Sequence, residues 1–86
     1  MHEMSVAMEV CRMAEQRLGR TGAAGLVAVG VEVGADAGVE PESLAFCLEA
    51  LLAEPPFAGA KPHILRQSGD VLRVTYLEVA DAGPND

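Results

Sequence analysis

The sequence predicts an α/β (α+β) chain: a two-layer sandwich of two helices on a three-stranded mixed sheet, in the order α-β-α-β-β. Three observations carry this expectation. One early stretch repeats its apolar residues at helical spacing, a valine-rich run follows it, and a second helical stretch is bounded by prolines. Two further strand-like runs complete the set.

The first helix is read over residues 5–18. Val6, Ala7, Val10, Cys11, Ala14 and Leu18 share one face, while Glu9, Arg12, Glu15 and Arg17 fall mostly on the other. Gly19 and Gly22 bracket its exit. Residues 26–33 (LVAVGVEV) read as a strand, with Val27, Val29, Val31 and Val33 on one β-branched face. Gly30 at its centre predicts the close approach of a backbone or of a side chain lying across it. Residues 34–38 are a loop. Pro41 then suits the first position of a second helix, with Glu40 and Glu42 at the positive end of its dipole. Leu44, Cys47, Leu48, Leu51 and Leu52 form the apolar face, and Glu54-Pro55-Pro56 ends the helix. Residues 63–67 and 71–79 read as a hairpin closed by Ser68-Gly69-Asp70. The first strand and one hairpin strand are then the expected sheet edges. Residues 1–80 form one domain, and residues 81–86 are expected to be a frayed tail.

Composition bounds the function. The chain has 86 residues, so its core is thin. Half of the residues are apolar, yet Phe46, Phe57 and Tyr76 are the only aromatics. Thirteen acids against six bases give a net charge of -7, which argues against nucleic acid and anionic membranes as partners. Two cysteines, Cys11 and Cys47, permit one disulfide at most and no four-thiolate zinc site. Both lie on apolar helix faces, where free cysteines act as small hydrophobes. The N-terminus lacks the pattern of a signal peptide, and no run is long and apolar enough to span a bilayer, so a cytoplasmic protein with reduced thiols is expected. No nucleophile elbow surrounds Ser5 or any other serine, and no acid–base pair converges, so no enzyme is expected.

The N-terminus carries the one donor set of interest. The large His2 favours retention of Met1, leaving a free α-amine ahead of a histidine. That amine, the His2 amide nitrogen and His2 Nδ1 close a five- and a six-membered ring on one metal. Such a chelate suits square-planar Ni(II) or Cu(II). Any chain beginning Met-His offers the same donors, so spacing alone assigns no site. The other histidine, His63, near a strand start, reads as solvent-facing or hydrogen-bonded.

The opening Met1-His2-Glu3-Met4-Ser5-Val6-Ala7 resembles the start of the HypA family of hydrogenase nickel-incorporation proteins. Val31-Glu32-Val33-Gly34, then Gly38-Val39-Glu40-Pro41-Glu42, then Leu44, Phe46, Cys47 and Glu49 are similar to the family's central run. Residues 71–79 resemble its last strand, and the likeness covers residues 1–79. The resemblance implies two helices on a three-stranded sheet and a metallochaperone delivering nickel to the large subunit of [NiFe]-hydrogenase, or in some organisms to urease. It implies nickel held by the terminal amine of Met1, the backbone and side chain of His2 and the backbone nitrogen of Glu3. A HypB-type GTPase is the implied partner, and exposed sheet edges allow a homodimer. The family's zinc lobe, with two CxxC pairs, precedes its last strand; here Ser68-Gly69-Asp70 stands in that place, so no zinc is expected. A histidine that can complete the nickel sphere goes with the lobe, and His63, water or a partner's ligand would take its place. The second reading is a HypA-derived scaffold that docks hydrogenase or maturation proteins without transferring metal.

Overall fold

The computed structural model describes residues 2–80. Helix α1 spans Glu3–Ala23, strand β1 Leu26–Gly34, helix α2 Pro41–Leu52, strand β2 Lys61–Gln67 and strand β3 Leu72–Val79. Two helices on a three-stranded mixed sheet is the architecture read from the sequence. Residues 81–86, where a frayed tail is expected, lie outside the described residues.

Helix α1 buries Ala7, Val10, Cys11 and Ala14, the stripe that its periodicity marks. It runs beyond residues 5–18 at both ends and is broken at Gly19, whose φ of 76° is costly for any residue with a Cβ. Helix α2 begins as its sequence requires. Glu40 caps it by accepting a hydrogen bond from the Ser43 N–H at 2.8 Å, and Pro41 follows at the first helical positions. Leu44, Leu48 and Leu52 are fully buried. Burying each such side chain is worth ~1.5–3 kcal/mol.

The sheet order is β2-β1-β3, with β1 parallel to β2 and antiparallel to β3. This corrects two expectations. Residues 63–67 and 71–79 do not form a hairpin, because β1 lies between them. The edges are β2 and β3, and β1 is central. The connection from β2 to β3 instead arches over the C-terminal end of β1. Gly34, Ala35 and Asp36 donate their N–H groups to the carbonyls of Val71, Gln67 and Gly69 at 2.7, 2.8 and 2.7 Å. A Cβ on Gly34 would collide with the backbone of Gly69, so glycine is what lets this short connection lie so close. Ser68-Gly69-Asp70 is a turn as read, with Gly69 at φ 84°, but it joins strands that are not neighbours.

The central strand β1 is buried along its length except at Val27. Val29, Val31 and Val33 join the core with the helix residues, as the alternation requires. Val27 was expected on the same face but is 44% exposed. The pairing with β3 shifts between Leu26 and Ala28, and this bulge turns Val27 out. The expectation for Gly30 holds: the Tyr76 ring lies across it, where a Cβ would clash.

Candidate functional site

His2 occupies the N-cap of α1, exposed to solvent, with φ -99° and ψ 89°. Its carbonyl accepts the Val6 N–H at 3.1 Å and so starts the helical ladder. The amides that precede that first bond have no intrahelical acceptor. The His2 and Glu3 nitrogens belong to this set, so neither must break a helical hydrogen bond to serve as a ligand. Met1, the remaining donor, lies outside the described residues.

The Glu3 side chain is occupied elsewhere. Its Oε2 accepts the Glu40 backbone N–H at 2.8 Å, across 37 residues of sequence. Glu40 Oε1 in turn accepts from Ser43 N–H. Together these contacts make a capping box whose two acidic arms come from different helices. They bring the N-terminus of α1 beside that of α2, where both helix dipoles favour carboxylates. The Glu40 N–H, then Glu3's own amide, hold the Glu3 carboxyl below its ordinary range. The Ser43 N–H does the same for Glu40. The contact orients the start of α1 and leaves the Glu3 carboxylate pointing to α2. Sequence reasoning placed Glu40 at a helix start but carried no signal for its bond to Glu3, since the two are local to different helices.

His63 lies on β2 opposite Gly30, between the half-buried Pro62 and Ile64. Alternation puts its side chain on the sheet face away from the helices. There its Nδ1 is 2.6 Å from the Tyr76 hydroxyl, so it meets Tyr76 rather than the helical N-terminus. This is the hydrogen-bonded, exposed histidine that its position on a strand led us to expect. Both cysteines are free. Cys11 is buried in α1, and desolvation pushes its thiol up to about 11; Cys47 is half-buried in α2. Ser5 is exposed on the first turn of α1. Among the described residues, no three His, Cys, Asp or Glu side chains gather into a metal cluster. No helix among them is long and apolar enough to cross a membrane.

The comparisons with known proteins converge. Residues 1–74 match the family model HypA, "Hydrogenase/urease nickel incorporation, metallochaperone, hypA". The hydrogenase maturation factor HypA of Aeromonas hydrophila is 34% identical over 70 residues, 81% of this chain and 62% of that protein. The HypA of Streptomyces avermitilis is 44% identical over 61 residues, 70% of this chain and 47% of the relative. The HypA of Methanopyrus kandleri is 34% identical over 83 residues, 96% of this chain and 54% of the relative. The chain spans about three fifths of the length of the first of these curated relatives. With this match along most of its length, the chain belongs to the HypA family.

Proposed function

We propose that the chain is a nickel-binding accessory protein of [NiFe]-hydrogenase maturation, with Ni(II) as its cargo. The planar ligands are the Met1 amine, the His2 amide nitrogen and His2 Nδ1, with the fourth corner left to water or a partner's ligand. The Glu3 amide would be a third cis neighbour of the same His2 nitrogen and so lies outside this plane. One observation carries the reading: Glu3 gives its carboxylate to the Glu40 N–H, which fixes the helix start while the His2 nitrogen before it has no intrahelical acceptor. The side chain thus anchors the helix start, and the nitrogens remain for a planar chelate. A deprotonated amide and an imidazole favour a square-planar ion, which separates Ni(II) from Zn(II). The acceptor in this reading is the hydrogenase large subunit, with a HypB-type GTPase as partner. His63 is left out of the chelate in favour of its bond to Tyr76, and a partner's ligand or water completes the sphere during transfer. No zinc and no catalytic residue are part of the proposal.

Titration of the chain beginning at Met1 with Ni(II) tests it. A square-planar d–d band should appear and should vanish in His2→Ala and after a Gly-Ser extension ahead of Met1. A one-residue extension is not used, because it places the histidine third from the amine, itself a planar chelate. Binding unchanged in both variants would sink the chelate.

The scaffold reading has one observation in its favour. Phe46 on α2 is 73% exposed, a large aromatic with little covering it. If Phe46→Ala abolishes capture of a hydrogenase maturation partner while His2→Ala leaves capture and maturation intact, docking replaces metal transfer as the function.

A further inference from the structure

We propose that β3 is a self-recognition edge: two copies of this chain join their β3 strands antiparallel about a two-fold axis and form one six-stranded sheet. Among the described residues β3 pairs with β1 alone, and its second row of backbone donors and acceptors faces outward.

The pattern of β3 fits itself. Its register with β1 skips Thr75, since Gly30 faces Tyr76 and the next residue, Val31, faces Val74. This bulge sets Leu72, Val74, Leu77 and Val79 on the helix side and Arg73, Tyr76 and Glu78 on the other. Two such strands, paired antiparallel and centred on the bulge, oppose Val74 to Leu77 of the second copy and Leu72 to its Val79. Arg73 then opposes Glu78 of the second copy, twice by symmetry. Each of these pairs keeps its face, and the two charged pairs that flank the centre are of opposite sign. Without the bulge, Arg73 and Glu78 would point to opposite faces. Arg73 bonds Glu32 through Nε, and its side chain remains 68% exposed, so its other nitrogens are free to reach a second carboxylate. Glu78 makes no ion pair among the described residues.

The helix side of this edge has room for a second copy. Two adjoining hollows of about 360 and about 310 Å³ run between α1 and β3, sharing Val10, Met13 and Val74. Met13 is 40% and Leu72 36% exposed there. The two-fold axis would bring the second copy's α1 to the same side and close both grooves. The opposite edge is built against self-pairing. In β2, Pro62 lacks a donor, and Lys61, His63 and Arg66 have no acid among them, so a second β2 would meet like charges.

Sedimentation of the full chain across a concentration series should show a dimer. Glu78→Arg should raise its dissociation constant about tenfold or more by opposing arginine to arginine, while Lys61→Glu on β2 should leave it unchanged. A Thr75→Cys chain with Cys47→Ala, and Cys11 left buried, should oxidise to a covalent dimer, whereas Leu65→Cys in the same background should not. This second measurement decides the matter if Glu78→Arg fails to fold. A monomer at every concentration, or equal cross-linking through position 65, overturns the proposal.

Discussion

On the inner face of β1, Val29, Val31 and Val33 are closed from water by a second layer that includes Leu44, Leu48 and Leu52 of α2. On the outer face, Ala28, Gly30 and Glu32 are also buried, yet no helix among the described residues lies over them. The cover there comes from within the sheet. Tyr76 reaches across Gly30 to His63, and Arg73 closes over Glu32 with Nε 2.6 Å from its carboxylate. Small residues on the central strand and long ones on its neighbours exclude water from a single layer. One face is held by bulk burial and the other by fit and by charge, so the two should respond differently to the same size of change.

The largest effect is expected inside. Leu48→Ala removes a fully buried side chain from the α2 face. It should cost roughly 2–5 kcal/mol, read as a lower urea midpoint with little change in slope. In a chain of this size that is a large part of the total stability.

Outside, the sharper test is addition rather than deletion. Gly30→Val should cost roughly 1–3 kcal/mol, because the new Cβ enters the space of the Tyr76 ring. The same change in a Tyr76→Ala background should cost less, since two of the three nearest atoms are gone. Equal cost in both backgrounds would show that the face is not held by Tyr76.

Gly30 was legible because a glycine amid β-branched residues needs a reason, and the only reasons are close approaches. The N-cap at Glu40 and the proline after it were legible for the same reason: capping is a local rule. The strand order was not. Ser68-Gly69-Asp70 carries the chemistry of a turn, and a turn says nothing about whether its strands touch. The signal lay in β1, where valines continue on one face while the other holds only Ala28, Gly30 and Glu32, a strand wrapped on both sides. Glu32 reads as a solvent-facing charge until Arg73, which is 41 residues away, is brought beside it by the sheet. The N-terminal donors were legible as donors and as a family resemblance, but the Glu3–Glu40 contact depends on how the helices pack.

A smaller effect should follow from the charge pair. Arg73→Ala leaves Glu32, whose side chain is 10% exposed, without its partner. The expected cost is about 1 kcal/mol, held down by the solvent around the arginine. Removing both in Arg73→Ala/Glu32→Ala should recover part of it. A double variant worse than the sum of the singles would mean that Glu32 holds more than Arg73.

The smallest effect belongs to the end of the molecule where the two helices meet. Glu3 has its folded-state pKa lowered, first by the Glu40 N–H. A carboxyl of this kind contributes stability that is full above its unfolded pKa and is lost as the pH falls through the folded one. The wild-type chain should therefore lose stability in the acid range more steeply than Glu3→Gln, and the two should run parallel near neutrality. Glu40 is lowered by a different donor, the Ser43 N–H, so part of the acid limb should survive in Glu3→Gln. Nickel binding sharpens the comparison further. Glu3→Gln leaves the Met1 and His2 nitrogens untouched, so the planar band should persist at neutral pH even as the acid limb flattens. A variant that lost both together would make the carboxylate a ligand rather than an anchor.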